Sequence, residues 1–342
     1  MSDDSALDLD SIVDSARAAR HRIRAHLRRT ALEPSPAART LNGADVLFKH
    51  EHQQVTGSFK PRGALTKLSA MSPAEADRGV VAPTAGNHGI GVAYAGARIG
   101  VPVSVYLPAS ADESKRRQIE AHGATVKEFA DVEAARTAAV RDARRTGATY
   151  SSAYDDADMV VGAATLGLEL VDELPDVDVV VLPIGGGGLA AGVGAAFRVL
   201  RPRTRVWAVA PRASPTWSVW HGAAEPSSVR LGPSIAEGIS GPIEPTTLTF
   251  PLVNRVVDRV VEVTDAEIAG AVQWLAADLQ QLVEPSGAAA AAAVVAGRHQ
   301  TAGARTAVVL TGRNVSLERF RRLTGPRRVA ADARGRRSEE TR

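Results

Sequence analysis

The sequence of 342 residues contains no cysteine, which excludes disulfide bonds, thiolate nucleophiles and cysteine-ligated metal sites. It also has no apolar run long enough to cross a bilayer, so no membrane-spanning helix is expected. The first ten residues are acidic and lack the apolar stretch of a secretory signal. We therefore expect a cytoplasmic protein with no membrane partner.

Aromatic residues are scarce, at 4% of the chain, although the net charge of +3 invites a nucleic-acid interpretation. The excess positive charge lies in residues 326–342, where six arginines outnumber three acidic residues. No aromatic side chain stands among those arginines, as a surface for stacking bases would require. The sequence predicts a disordered basic tail at 326–342 and no nucleic-acid partner.

Short apolar strands alternate with helical segments along most of the chain, a pattern typical of βαβ units and a parallel sheet. Strands are expected at 45–49, 80–82, 101–107, 125–129, 148–151, 177–184, 205–210, 256–263 and 306–310. Helices are expected at 10–29, 114–122, 131–145, 158–173, 189–200, 265–279 and 285–298. Residues 211–250, rich in Pro, Gly and Ser, are expected to be irregular.

The stretch from Thr56 to Ala64 places a lysine at the start of a helix. Ser58 is a suitable N-cap and Pro61 is tolerated in the first helical turn. Lys60 then lies near the positive end of the helix dipole, which should lower its pKa. A neutral lysine can act as a nucleophile, whereas an isolated lysine is more often a solvated surface residue.

Two further turns follow directly after predicted strands, where ligands bind in open α/β sheets. The run from Gly185 to Leu189 offers backbone N–H groups at a helix start and could hold a phosphate, although a plain tight turn also fits. The turn from Thr84 to His88 could hold a carboxylate in the same way, although in isolation such an Asn and His are more often helix-capping residues than ligands.

A lysine at a helix start, a glycine turn for phosphate and a hydroxyl at a strand end, Thr311, are the parts needed to hold pyridoxal phosphate. On these motifs, and over roughly residues 10–325, the sequence resembles the fold-type-II pyridoxal-phosphate enzymes. Within them it is similar to the serine/threonine dehydratase (threonine ammonia-lyase) family. The resemblance implies a tryptophan synthase β-like α/β fold, with two open parallel-sheet domains and the cofactor in the cleft between them.

The resemblance also implies a domain division. Residues 1–45 and 154–325 would form the large cofactor-binding domain, with 46–75 carrying the lysine helix, and 76–153 would form the small domain. Homodimerisation is expected from the family. Because the sequence stops soon after its last predicted strand, the C-terminal regulatory domain of the biosynthetic members is expected to be absent.

The resemblance assigns roles to individual residues. Lys60 would form the Schiff base, with Phe59 packing beside the ring and Asn87 bonding the ring's phenolic oxygen. Gly185, Gly186, Gly187, Gly188 and Leu189 would hold the phosphate, and Thr311 would face the ring nitrogen. The substrate carboxylate would be bound by Thr84, Ala85, Gly86, Asn87 and His88, and the substrate amine would face Gly238.

The implied reaction is β-elimination from a β-hydroxy amino acid of the L-threonine or L-serine type, with Lys60 as general base. Racemases of the family carry a serine at the position of Ala85, so racemisation of serine or aspartate is the disfavoured alternative. A lyase acting on 3-hydroxyaspartate or another β-substituted amino acid, a β-replacement enzyme and an inactive cofactor-binding regulator also remain open. Where relatives carry a metal-binding glutamate this chain has Ala210, with Thr216 nearby, so no metal is expected. Glu284 could be a helix cap or an active-site residue.

Overall fold

The computed structural model describes residues 8–84, 86–298 and 303–325. Ala85 and the predicted tail at 326–342 lie outside the described residues. The strands are β1 Leu32–Pro34, β2 Asp45–Lys49, β3 Val80–Pro83, β4 Val103–Pro108, β5 Thr125–Phe129, β6 Thr149–Tyr150, β7 Val179–Pro183, β8 Arg205–Pro211, β9 Arg259–Val263 and β10 Arg305–Val309.

The helices alternate with these strands through most of the chain. They are α1 Leu9–Ile23, α2 Pro36–Asn42, α3 Pro61–Leu68, α4 Pro73–Arg78, α5 Asn87–Ile99, α6 Glu113–Ala121, α7 Val132–Thr146, α8 Ala157–Glu173, α9 Gly188–Leu200, α10 Thr216–Trp220, α11 Thr249–Val256, α12 Asp265–Asp278, α13 Pro285–Val295 and α14 Leu317–Thr324. Within the described ranges, none of these helices has the length and apolar character needed to span a bilayer.

The strands form two open sheets. The larger has six strands in the order β1-β2-β10-β7-β8-β9, and the smaller has four in the order β5-β4-β3-β6. The smaller sheet is parallel throughout, and the larger is parallel apart from β1, which pairs antiparallel with β2 at the edge. The sequence did not predict this edge strand, because three residues carry too little pattern to read.

The central strand β7 shows why the larger sheet must be covered on both faces. Val180 and Leu182 belong to an apolar cluster with α1, α8 and α9. Val179 and Val181 belong to a second cluster with α12 and α13. Successive side chains of a strand point to opposite faces, so a continuous Val/Leu run is buried only between two layers of helices.

The segment 211–250 and the residues after it differ from the prediction. The short helix α10 lies inside the region expected to be irregular. Residue 256, expected to begin a strand, instead ends α11, and β9 starts at Arg259. Leu252, Val253 and Val256 are buried at a spacing that gives a helix one apolar face. Val256 packs so closely on α9 that a Cβ built at Gly194 would lie 2.4 Å from its Cγ2.

The molecule has a large half, built on the six-stranded sheet, and a smaller half, built on the four-stranded sheet. Helix α3 lies between these two halves. Leu65 and Leu68 are part of the apolar core of the smaller sheet. On another side of α3, Gly63 meets α8 at such short range that a Cβ on Gly162 would lie 2.3 Å from the Gly63 Cα. The predicted domain boundaries stay a prediction, but the helix that follows Lys60 is in contact with both halves.

Candidate active site

A cavity with about 620 Å³ of empty space, open solvent included, lies at the carboxyl ends of the larger sheet's strands. Its lining brings together the predicted residues Phe59, Lys60, Gly185, Gly186, Gly187, Gly188, Leu189, Gly238 and Thr311. Ala153, Tyr154, Met159 and Ile239 also line it and were not predicted. Of the predicted substrate loop, the described residues Thr84 and Gly86 to His88 do not line this cavity.

Lys60 precedes the first residue of α3, and its half-buried side chain reaches the cavity. Its Nζ donates a hydrogen bond to the Ala153 carbonyl at 2.8 Å and lies 5.1 Å from the centroid of the Phe59 ring. Burial lowers the pKa of Lys60 to about 8, because a charged amine loses solvation there. The sequence predicted the direction of this shift but attributed it to the helix dipole, whereas desolvation is the cause found here.

Ser58 does not cap the lysine helix, and this part of the prediction was wrong. The N-cap position is Lys60 and no side chain caps it. Ser58 instead forms an antiparallel bridge with Gly312, and the next N–H, that of Phe59, donates to the Thr311 carbonyl at 3.1 Å. Pairing with the segment after β10 therefore holds the chain extended up to Phe59, so the helix cannot begin at the serine.

The glycine loop is held by side chains outside the cavity. Trp217 Nε1 donates to the Gly185 carbonyl at 2.5 Å, and Thr249 Oγ1 donates to the Gly186 carbonyl at 2.7 Å. The first backbone hydrogen bond of helix α9 runs from the Ala191 N–H to the Gly187 carbonyl at 2.8 Å. The N–H groups before Ala191 at this helix start are therefore available to an anion, as are those of other helix N-termini.

The loop has no room for side chains. A Cβ at Gly186 would lie 2.1 Å from the Tyr154 ring, and one at Gly185 would lie 2.9 Å from the Ile239 Cα. Gly187 has φ +92°, which favours glycine, and a Cβ there would lie 2.8 Å from Trp217. Bare backbone lining a cavity beside a lysine and a hydroxyl fits the phosphate, aldehyde and ring of pyridoxal phosphate.

Asn87, at the start of α5, belongs to a polar cluster near Gly312, the residue after Thr311: a Cβ built at Gly312 would lie 3.1 Å from Asn87 Nδ2. Its Nδ2 donates to the Glu284 carboxylate, and its Oδ1 accepts from Asn314 at 2.8 Å. Glu284 occupies the N-cap position of α13 but makes no capping bond, which favours an active-site role over a cap. Burial raises the pKa of Glu284, against the opposing effect of Lys115, whose Nζ lies 3.6 Å from the carboxylate.

The remaining predicted substrate residues make hydrogen bonds to other parts of the protein. His88 is buried, with Nε2 3.1 Å from the Ser151 carbonyl, and burial lowers its pKa to about 3. The imidazole is thus neutral and turned into the smaller half. Gly86 N–H donates to Thr84 Oγ1 at 3.0 Å, and Gly238 N–H donates to Ser286 Oγ at 2.9 Å. Their contact with a substrate stays a prediction.

Among the residues of this region that sequence reasoning missed, Tyr154 and Asn314 make the contacts that shape the site. The ring of Tyr154 lies against the glycine loop, and its hydroxyl bonds the Glu244 carboxylate. Its position just after β6 could have identified it by the rule already used for the other turns. Asn314 stands in the strand-end motif that contains Thr311, but its partners are distant in sequence and no local pattern indicates them.

No group of three or more His, Asp or Glu side chains suited to a metal occurs among the residues that the structure describes. Ala210 is buried in β8, where it is paired with Glu262 of β9, and Thr216 begins α10. The expectation that this protein has no metal there stays a prediction.

The two open α/β halves, the lysine and the glycine loop define a pyridoxal-phosphate enzyme of fold type II. Residues 23–312 match the family model described as pyridoxal-phosphate dependent enzyme. The chain belongs to this family.

Individual relatives are similar along most of their length. The chain is 37% identical to the L-threonine ammonia-lyase of Thermotoga maritima, over 86% of this chain and 73% of the relative. It is 31% identical to the β-hydroxyaspartate dehydratase of Paracoccus denitrificans, over 89% and 96% respectively. The structure of maize serine racemase superposes with a TM-score of 0.86 at 29% identity, covering 91% of this chain and 95% of that one. The predicted family, fold class, cofactor and lyase class are confirmed.

Proposed function

We propose that this protein removes water from a β-hydroxy amino acid of the L-threonine or L-serine type, yielding a 2-oxo acid and ammonia. The observation that carries the proposal is the position of Lys60, an amine with a pKa of about 8 that lines one cavity together with the glycine loop. The lyase names of the relatives at 37% and 31% identity support the same reaction class.

The residues present fit pyridoxal phosphate, which when bound supplies the electron sink that makes the Cα proton of an amino acid removable. The glycine loop would hold the phosphate, Thr311 the ring nitrogen and Asn87 the phenolic oxygen, with Phe59 beside the ring. A hydroxyl such as that of Thr311 cannot protonate the ring nitrogen as a carboxylic acid would, which makes the ring a moderate sink and suits elimination.

Lys60 is the residue placed to accept the Cα proton. With its pKa lowered to about 8, a useful fraction is neutral near neutral pH, as a general base requires. The Cα proton moves to the Lys60 amine while the β-hydroxyl leaves with a proton as water. The resulting enamine becomes the 2-oxo acid by taking up water and releasing ammonia, so the water lost in elimination is regained.

A dicarboxylic substrate, 3-hydroxyaspartate, is the second candidate, and Lys115 favours it. Its side chain is 15% exposed, its ammonium group lies near the substrate loop, 3.7 Å from a Cβ built on Gly86, and it pairs with Glu284 only at 3.6 Å. A second carboxylate on the substrate would find a cation there. The relative from Paracoccus denitrificans is named for this substrate.

The experiment that tests the function is a 2-oxo acid assay of the pyridoxal-phosphate-loaded protein with L-threonine, L-serine and 3-hydroxyaspartate. The wild type should release oxo acid and ammonia in equal amounts. Lys60→Ala should lose both this activity and the near-visible absorbance band of covalently held cofactor. Lys127→Ala is the matched control, since Lys127 pairs with Asp142 in the smaller half.

Other outcomes distinguish the alternatives. Recovered substrate of inverted chirality without oxo acid would contradict elimination and support racemisation. Incorporation of an added thiol would support β-replacement. A bound cofactor with no turnover of any of the three substrates would contradict the proposed substrate class.

The proposal extends to a cytoplasmic homodimer, supported by the resemblance to the dehydratase family. Sedimentation of the purified protein over a range of concentrations should give twice the mass of one chain. A single-chain mass at every concentration would contradict the dimer, and secretion of the protein would contradict the location.

A further inference from the structure

Asn314 has hydrogen-bond partners that fix the direction of its side-chain amide. Its Nδ2 donates to the Thr56 carbonyl at 2.8 Å and to Asn87 Oδ1 at 2.8 Å. The Thr56 carbonyl belongs to the backbone and can only accept a hydrogen bond. The nitrogen of Asn314, rather than its oxygen, must therefore face Thr56 and Asn87.

The orientation of Asn314 determines that of Asn87. If the Asn87 amide were reversed, its NH2 group would meet the NH2 group of the buried Asn314 and leave two donors opposed. Its oxygen must thus face Asn314, and its Nδ2 faces Glu284. Glu284 could not fix this direction alone, because a carboxyl group accepts a hydrogen bond when ionised and can donate one when protonated.

The backbone around this chain of contacts leaves Asn314 little freedom. It is 8% exposed, and a Cβ at Gly57 would lie 2.4 Å from its Oδ1. Arg313 N–H, one residue earlier, donates to the Gly57 carbonyl at 2.8 Å. The segment after β10, which contains Arg313 and Asn314, is thereby bound to the segment around Gly57 that leads to Lys60.

We propose that Asn314 is a positioning residue, which holds the Asn87 amide with its N–H groups toward Glu284 and the cofactor. The inference rests on the proposed function, in which Asn87 contacts the phenolic oxygen of the ring. It adds that the donor character of Asn87 is imposed by the backbone carbonyl of Thr56, through Asn314.

Asn314→Asp tests this role, because aspartate has nearly the same shape but no donor. The loaded variant should still bind cofactor, with a near-visible band shifted in wavelength and in its pH dependence. Its kcat should fall about 100-fold while KM changes less, since misplacing a group at the reacting centre has effects of that size. Asn254→Asp is the matched control, because the Asn254 amide nitrogen also donates two hydrogen bonds, in its case to two backbone carbonyls at 3.2 and 3.4 Å, but lies on α11.

A double variant separates positioning from stability. In Asn314→Asp, the Asn87 amide should reverse and turn its oxygen toward Glu284. Adding Glu284→Gln supplies a donor for that oxygen and restores the original total charge, so thermal stability should rise again. The band and kcat should stay altered, because Asn87 remains reversed. If the double variant recovered its thermal stability, its absorbance band and its kcat together, the proposal would be overturned. It would also be overturned if the band and kcat of Asn314→Asp alone stayed within about twofold of wild type.

Two further observations keep the test decisive. If the variants do not fold, a high-resolution structure of the loaded wild type decides it, and an Asn87 amide without contact to Asn314 overturns the inference. If the wild type makes no oxo acid, the proposed function fails, while the band comparison still reports on Asn314.

Discussion

At the scale of single residues, the site depends on burial changing what ordinary side chains can do. Lys60 has no carboxylate partner among the described residues, and its one hydrogen bond is to the Ala153 carbonyl. Loss of solvation is therefore not offset by an opposite charge, and the amine is easier to deprotonate. Lys49, whose side chain is fully buried, does have carboxylate partners: its Nζ lies 2.8 Å from Glu173 and 3.3 Å from Glu169.

The pH dependence of cofactor attachment should reveal the lowered pKa of Lys60. Only the neutral amine attacks an aldehyde, and the pKa of Lys60 is lowered to about 8. In the cofactor-free protein, the rate of pyridoxal phosphate attachment should rise about tenfold per pH unit below pH 8 and level off above it. Stopped-flow absorbance from pH 6 to 10 measures the curve. A rate that still climbs steeply at pH 10 would show an unperturbed lysine.

At the scale of elements, the glycine loop joins a buried strand to a helix, and the bonds that shape it come from far along the chain. Thr249 and Trp217 orient its carbonyls, while Tyr154 lies against its face. The strand, the glycines and the helix could be predicted, because each has a local pattern. Trp217 and Thr249, which hold the loop, could not, because they come from the segment 211–250 that was expected to be irregular.

Other predictions also divide into those that follow from a local pattern and those that depend on contacts distant in sequence. The strand at 125–129 and the helix at 131–145, found as α7 Val132–Thr146, follow local rules and were placed correctly. Ser58 has the chemistry of a cap, but pairing with Gly312 prevails. Local sequence predicts what an element can do, whereas its partners decide among the possibilities.

Substitution in the loop should separate backbone strain from loss of the phosphate site. Gly187 and Gly100 have similar positive φ angles, +92° and +84°, but only Gly187 would place a Cβ against Trp217. Gly100→Ala should cost about 1 kcal/mol of unfolding free energy through strain alone and bind pyridoxal phosphate normally. Gly187→Ala should cost more and weaken cofactor binding at least tenfold. Urea unfolding and a cofactor titration measure both, and equal cofactor affinities would contradict the role of the loop.

At the scale of the whole molecule, α3 joins the two halves and carries the reactive lysine at its start. Its apolar residues belong to the core of the smaller sheet, while Arg62 makes ion pairs with the rest of the chain. The Arg62 guanidinium donates to both oxygens of Glu51, at 2.7 and 2.9 Å, and to both oxygens of Glu169 on α8, at 2.8 and 2.9 Å. One planar, fully buried side chain thus fixes the orientation of α3 relative to the large half.

Removing that guanidinium should destabilise the molecule far more than removing an exposed one. Arg62→Met leaves Glu51 and Glu169 buried with an unbalanced charge, which should cost about 3–5 kcal/mol. Arg198→Met is the control, because Arg198 and Asp258 form a 2.9 Å pair with side chains 32% and 30% exposed, and exposed pairs contribute at most about 1 kcal/mol. Urea unfolding of the cofactor-free variants measures both losses. Similar losses in the two would mean that the packing of α3, rather than the Arg62 ion pairs, holds Lys60 between the two halves.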